Sequence, residues 1–496
     1  MLDHAETPLL TALEKIAQHP HAGFYTPGHK QGQGAFPPLR HLIGELALQA
    51  DLPELPGLDN LFAPQEVILQ AQELAAAAFG AAQTWFLANG STCGIQAAIL
   101  ATCQPGDKIL LPRNCHRSAI AALVLSGAVP VFGQPEYEAD WDIAHTLSLA
   151  TVQDAVNCHP DMKAVMLLHP TYYGVCGELG AIAQFLHQRG IPLLVDEAHG
   201  AHFAFHADLP PSALSLGADV TVQSIHKTLG SLTQSSMLHL GEGRWREAAV
   251  VKQWGDRLTQ ALQLVQSTSP NYLLLASLDA ARQQMVLEGQ QLMQRAIDLA
   301  KMARSHLSQI PGLRVLDVPN PLPGRQCMDV TRLTVDVRGL GITGFEADER
   351  LHGEFGVTVE LPSLHHLTGI ISLGNTEEDI QQLVQGFQAL AQDCPVAQPP
   401  QGTVAQAWRS LPTPEMVCSP RDAFFAPSCT VPIHAAIAQV SAELVCPYPP
   451  GIPILVPGER ITPEAIAYLQ TILQSGGILT GCADSSLQTL KILASF

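Results

Sequence analysis

Lys227 closes the tetrapeptide Ser224-Ile225-His226-Lys227, shortly after the apolar run Val220 to Val222. Upstream, Asp196 follows a second apolar run, Pro192-Leu193-Leu194-Val195, and opens Asp196-Glu197-Ala198-His199. A primary amine after one strand and a carboxylate at the end of an earlier one are what a pyridoxal phosphate (PLP) site needs. The amine condenses with the cofactor aldehyde as a Schiff base, and the carboxylate pairs with the protonated pyridine nitrogen. That pairing keeps the ring positive, ready to accept the electrons released when a bond at the substrate's alpha carbon breaks. An aspartate left unpaired at the end of an apolar strand is costly, so a cationic partner is expected there.

The phosphate needs a place as well. In Asn89-Gly90-Ser91-Thr92-Cys93-Gly94 a strand ends and a helix begins, and small residues let the backbone approach an anion. Free amides of the first turn, with the Ser91 and Thr92 hydroxyls, can hold a phosphate. An ordinary N-cap is the plain alternative. Asp196 and Lys227 downstream favour the phosphate, and Ser224 can add a further hydroxyl. His116, in Pro112-Arg113-Asn114-Cys115-His116-Arg117-Ser118, has a planar ring that can stack on a cofactor, although a lone histidine is more often a solvated loop residue. His199 and His202, with Asp196 or Glu197, complete no metal-site spacing, so no metal is expected. Gly28-His29-Lys30 lacks the preceding strand, glycine spacing and terminal hydroxyl of a P-loop.

The elements that must position these groups follow from periodicity. Helices are expected over 9–17, 65–79, 93–102 and 118–125, and strands over 85–87, 108–111, 129–132, 165–168, 192–195, 220–222 and 236–240. Unalternating apolar strands separated by helices predict a mostly parallel seven-stranded sheet covered on both faces. Catalytic groups in such sheets lie beyond the carboxyl ends of the strands, where Asn89, His116, His169, Asp196 and Lys227 all fall. A long helix over 273–307 leads to strands expected at 313–318, 330–335 and 370–373 and a helix at 377–391. The resulting plan is an α/β chain: an N-terminal segment (1–62), a large cofactor domain (63–290), a smaller α/β domain (291–393), a Pro/Gln-rich linker (394–414) and a C-terminal α+β module (415–496). The loops at 23–34 and 51–60 are unusually long for mere connectors.

Composition narrows the classes. At 496 residues and 47% hydrophobic content the chain can bury several cores. Twenty-six Lys and Arg against 45 Asp and Glu give a formal charge of −19, with no basic cluster, which argues against nucleic acid as a partner. The first residues lack the n-region and apolar core of a signal peptide, and the apolar runs 71–79 and 119–132 are too short to span a membrane. Eleven cysteines without a paired CxxC fit a cytoplasmic protein without a disulfide framework.

With these motifs in order, the chain resembles the Orn/Lys/Arg decarboxylase family, whose fold is the aspartate-aminotransferase type of PLP enzyme. The resemblance runs through Thr26-Pro27-Gly28-His29-Lys30, Leu58-Asp59-Asn60-Leu61, Asn89 to Thr92, Arg113 to His116, Asp196 to His202 and Ser224 to Lys227. It ends in Cys446-Pro447-Tyr448-Pro449-Pro450-Gly451-Ile452-Pro453 and Pro457-Gly458-Glu459. Larger members carry a wing domain before the PLP domain, so this chain looks like the short, cyanobacterial or Gram-positive type of arginine or lysine decarboxylase.

The resemblance implies removal of the alpha carboxylate from a basic amino acid, arginine first, then lysine or ornithine. It implies that Lys227 carries PLP, Asp196 meets the ring nitrogen, His116 stacks on the ring, and Ser91, Thr92 and Ser224 hold the phosphate. It places His226 near the reacting carbon as a proton donor, adds His199 to the cofactor-binding set, and implies a homodimer, with His29 among the substrate-binding candidates. One departure stands out: in Phe424-Phe425-Ala426-Pro427-Ser428-Cys429-Thr430-Val431-Pro432, Cys429 occupies the place where relatives often carry a glutamate. Glu360 and Glu459 remain as acidic candidates for the substrate's cation. A transaminase or lyase using the same ring, and a non-catalytic relative of the fold, are the competing readings.

Overall fold

Seven strands build the central sheet: β1 (Gln83–Leu87), β2 (Lys108–Pro112), β3 (Val129–Gly133), β4 (Met162–Leu168), β5 (Leu193–Asp196), β6 (Val220–Gln223) and β7 (Ser236–Leu240). Their order is β1-β7-β6-β5-β4-β2-β3 in the computed structural model, which describes residues 2–19, 21–242, 248–394, 414–449 and 451–494. β5 and β6 run parallel, as do β2 with β3 and β2 with β4. β7 is antiparallel to both neighbours, β6 and β1. Every residue of β5, β6 and β7 is buried, the polar Thr221, Gln223 and His239 included. The chain divides into two units, Met1–Ala101 with Leu194–Met293, and Thr102–Leu193 with Gln294–Phe496.

The first unit contains β1, β6, β7, nearly all of β5, and the helices α1 (Pro8–Gln18), α2 (Val67–Phe79), α3 (Gly90–Thr102) and the start of α4 (Tyr272–Leu307). α3 lies directly on the sheet: a Cβ at Gly94 would stand 2.7 Å from both Leu87 Cδ1 and Val222 Cγ1, so only glycine allows this approach. The N-terminal segment is tied down by charge. Asp279 and Arg282, both fully buried on α4, pair at 2.6 Å, while Asp279 accepts the Leu9 amide at 3.0 Å and Arg282 donates to the His4 carbonyl at 2.8 Å. Asp59 adopts φ +67° and its carboxylate accepts amides of Gln65, Glu66 and Ile68 at the start of α2. Partial burial raises the Asp59 carboxyl, but these donors outweigh it and hold the group below its usual value.

The second unit holds β2, β3 and β4 together with two further layers. Strands β8 (Arg314–Val315), β9 (Arg332–Asp336), β10 (Leu361–Pro362) and β11 (His366–Ile370) form an antiparallel sheet in the order β8-β9-β11-β10. Helices α5 (Gly344–Phe355) and α6 (Glu377–Asp393) cover it through Leu351, Phe387, Leu333 and Val335. Thr376 and Asp379 form a reciprocal capping box that starts α6. The expected strand at 370–373 lies instead at His366–Ile370. Its histidine, threonine and glycine hide it from a search for apolar runs, although His366, Leu367 and Thr368 are all buried. The C-terminal α+β module pairs β12 (Ser428–Pro432) with β15 (Thr489–Leu493) and β13 (Cys446–Tyr448) with β14 (Ile478–Thr480). Helix α7 (Pro463–Gln474) closes its core through Ile466 and Leu469. Of the expected linker, 394–414, all but its two end residues lie outside the described residues.

Candidate functional site

In the first unit β5 ends at Asp196, and β6 ends one residue before Ser224, which leads into the short helix Ile225–Thr228 carrying Lys227. The parallel pairing of β5 and β6 brings both carboxyl ends to one edge. Lys227 Nζ stands 3.1 Å from His199 Nε2. Asp196 is 8% exposed and accepts the Ala198 amide at 3.1 Å. Burial pushes its carboxyl up, opposed by the positive charge of Lys227 and by that amide. A buried carboxylate with a cation as its main support is the environment a pyridinium nitrogen would complete.

The hydroxyls of Ser224 and Ser91 meet at 2.8 Å, joining the end of β6 to the first turn of α3. Gly90, at φ +75°, lets the chain turn sharply into that helix. The approach is held in place: Gln266 accepts the Ala88 amide at 3.0 Å, Gln234 donates to the Ala88 carbonyl at 2.7 Å, and Asn89 accepts the Ser267 amide at 3.2 Å. Thr92 is exposed on the same turn. Two serine hydroxyls at the amino end of a 13-residue helix make an anion seat. Lysine amine, buried carboxylate and anion seat lie in one unit, and together they fit PLP. His226 is oriented by its Nδ1, which contacts the Ser235 carbonyl at 2.9 Å.

Behind Asp196 runs a polar relay not anticipated from the sequence. Glu197, fully buried, accepts the Ala213 amide at 2.7 Å and the Gln223 side-chain amide at 2.8 Å. Gln223 contacts His239 Nε2 at 3.1 Å, and His239 Nδ1 contacts the Thr84 hydroxyl at 2.8 Å. Burial pushes the Glu197 carboxyl up to about 8, despite both donors, and drives the His239 imidazole down to about 3. The available signal was a polar residue inside each buried strand: Gln223 in Val-Thr-Val-Gln and His239 in Ser-Met-Leu-His-Leu.

In the second unit His116 caps the helix Arg117–Ser126, its Nδ1 meeting the Ser118 hydroxyl at 2.8 Å and amide at 3.3 Å. The opposite ring nitrogen faces Gly451, where a Cβ would lie 3.7 Å from His116 Nε2. Arg113, two residues after the end of β2's apolar run, donates to the Pro453 carbonyl at 2.7 Å, the Ile454 carbonyl at 2.9 Å and Glu459 at 3.1 Å. Two of the sequence motifs thus meet through one guanidinium.

The three substrate-side candidates lie in different surroundings. Glu459 is fully buried and already neutralised by Arg113, and it also accepts the Val456 amide, so it anchors the C-terminal module rather than meeting a substrate cation. His29 uses both ring nitrogens within its own segment: Nε2 meets Asp51 at 3.0 Å and Nδ1 accepts the Gly32 amide at 3.0 Å. Glu360 is exposed to solvent, where a carboxylate gains little from one more cation. Cys429 is exposed on β12, opposite Ile492.

Comparison with known proteins agrees with this geometry. Residues 7–374 match the family model "Orn/Lys/Arg decarboxylase, major domain", and residues 402–483 match "Orn/Lys/Arg decarboxylase, C-terminal domain". The chain is 40% identical over 494 residues to arginine decarboxylase of Bacillus subtilis, covering 98% of each chain. It is 38% identical over 496 residues to arginine decarboxylase of Halalkalibacterium halodurans, again covering 98% of each. Among solved structures, lysine decarboxylase A from Pseudomonas aeruginosa superposes with a TM-score of 0.83 at 22% identity, over 98% of this chain and 80% of that one, which shows the shared fold.

Proposed function

Because the chain belongs to the Orn/Lys/Arg decarboxylase family, we propose that it decarboxylates arginine, releasing CO2 and agmatine, with PLP held at Lys227. It is a PLP-dependent amino acid decarboxylase; arginine is favoured over lysine and ornithine because the two relatives at 38% identity or more described above are arginine decarboxylases. The single observation that carries the site is the Lys227 amine, 3.1 Å from His199 and near enough to the buried Asp196 for its charge to lower that carboxyl.

Bound PLP supplies an electron sink for the pair left on the alpha carbon when carboxylate departs as CO2, and a proton takes the vacated position. The protein's part is placement. Lys227 would attach the cofactor, Asp196 would set a negative charge against its ring nitrogen, and Ser91 and Ser224 would hold its phosphate. His226, oriented by the Ser235 carbonyl, would donate the replacing proton, and the resemblance gives His116, whose Nδ1 meets the Ser118 hydroxyl, as the stacking candidate. The polar relay from Glu197 to Thr84 fixes the strand ends that carry Asp196 and Ser224.

The working form is a homodimer or larger homo-oligomer. Phe24 (95% exposed), Leu42 (82%) and Leu46 (76%) in the N-terminal segment leave apolar side chains in water that a second copy would cover. The compartment is cytoplasmic, in keeping with 11 cysteines that form no disulfide among the described residues; among those residues no helix is long and apolar enough to cross a membrane. A panel of arginine, lysine, ornithine and neutral amino acids, assayed for both amine and keto acid, tests the reading. Agmatine from arginine without keto acid is the expected result, and keto acid formation would replace decarboxylation by transamination.

A further inference from the structure

A cavity of about 100 Å³ opens inside the second unit, with Asp142, Tyr173, Tyr468, Phe345, Asn114 and Thr171 on its wall. That space holds a group of several heavy atoms rather than one water. Its wall mixes one carboxylate with aromatic rings. Asn114 and Thr171 follow the carboxyl ends of β2 and β4, and Pro449 and Ile452, also on the wall, flank Gly451, which packs against His116.

The charges around Asp142 do not balance. Asp336 is held by Arg338 at 2.6 Å and by Arg314 at 2.8 Å, and Arg314 also pairs with Asp140 at 2.8 Å. Both guanidiniums thus bind Asp336, and among the described residues Asp142 has no Lys or Arg at ion-pair distance. His365 Nε2 lies 3.5 Å from Asp142, but burial first, and then Arg338, pull that imidazole down to about 4, so it brings no charge at neutral pH. His366, held at about 3 mainly by burial, brings none either. Burial raises the Asp142 carboxyl to about 6, against the hydrogen bond that the Tyr137 hydroxyl donates to one of its oxygens, so it still carries charge at neutral pH. Burial, assisted by the Asp142 charge, raises the hydroxyls of both Tyr173 and Tyr468, so a negative field reaches the cavity wall.

We propose that this cavity binds an alkylguanidinium or alkylammonium group, with Asp142 as its counter-charge and the rings of Tyr173 and Tyr468 as its sides. A cation would complete the local charge, and aromatic rings favour cations over neutral groups of equal size. Asp142 would then supply the acidic contact that Cys429, Glu459 and Glu360 do not. The identity of the cation rests on the decarboxylase reading; the cavity and its charge do not. Two sources share this chemistry, the amino acid's own side chain and a free amine.

The test uses n-butylguanidine and its neutral isostere n-butylurea, titrated calorimetrically into the PLP-loaded protein. Butylguanidine should bind at least about tenfold more tightly than butylurea, and Asp142→Asn should remove most of that difference while leaving the cofactor absorbance unchanged. Inhibition competitive with arginine would assign the cavity to the substrate's side chain, and inhibition not relieved by arginine would assign it to a free amine. Equal binding of both probes to the unmodified protein would overturn the proposal without any variant having to fold. So would an Asp142→Asn protein that keeps the full preference. If no amino acid is decarboxylated, the probe titration still reads the cavity alone, so the two failures are distinct.

Discussion

The amine of Lys227 and the imidazole of His199 stand 3.1 Å apart, one on the helix after β6 and the other on the turn after β5. A lysine that must attack an aldehyde needs a free electron pair, and the Asp196 carboxylate, which feels the charge of Lys227, would control the charge on the ring of the bound cofactor.

Asp196→Asn tests that control. The variant should still bind PLP through Lys227, because the anion seat is untouched, but the ring nitrogen loses its stabilising charge. Turnover should fall on the order of a hundredfold or more, with little change in melting temperature. Near-normal turnover would refute the pairing.

Glu197 should make the protein lose stability as pH rises. Its folded value of about 8 lies above the free value of 4.5, so its contribution is fully present below 4.5 and is lost between there and about 8. Glu197→Gln removes that titration. Melting curves from pH 5.5 to 8.5 should show the variant gaining on the parent as pH increases; a pH-independent difference would remove Glu197 as a titrating group in this range.

Arg113 and Glu459 form a buried pair, 6% and 0% exposed. Glu459→Gln leaves an uncompensated guanidinium inside the protein, which should cost about 3–5 kcal/mol in urea unfolding. Replacing both residues by methionine should cost less than the sum of the single changes, because no charge is then stranded. Strict additivity would show that the two do not act as a pair.

Much of this was legible in the sequence, for a physical reason. β7 was expected at its observed bounds, 236–240, and β2 and β3 within one residue, because each is a short, mainly apolar run bounded by polar or turn residues. The reversed direction of β7 was not legible, since an apolar run carries no sign of its direction. Lys227, Asp196 and Ser224 could be named because each directly follows or ends such a run. Glu459 could be named as an acidic candidate, but neither its burial nor its partner Arg113, 346 residues away, is encoded by any local pattern. Asp142 escaped notice altogether: it sits at φ +52° between two-residue strands, and its neighbours His365 and Tyr468 come from distant segments.

The most direct measurement is borohydride reduction of the PLP-loaded protein followed by peptide mapping. The account predicts a single pyridoxyl group on the peptide containing Lys227, and none after Lys227→Ala, whose overall fold should persist because the lysine side chain is not fully buried. A pyridoxyl group found instead on Lys30, Lys108 or Lys252 would contradict the site and everything derived from it.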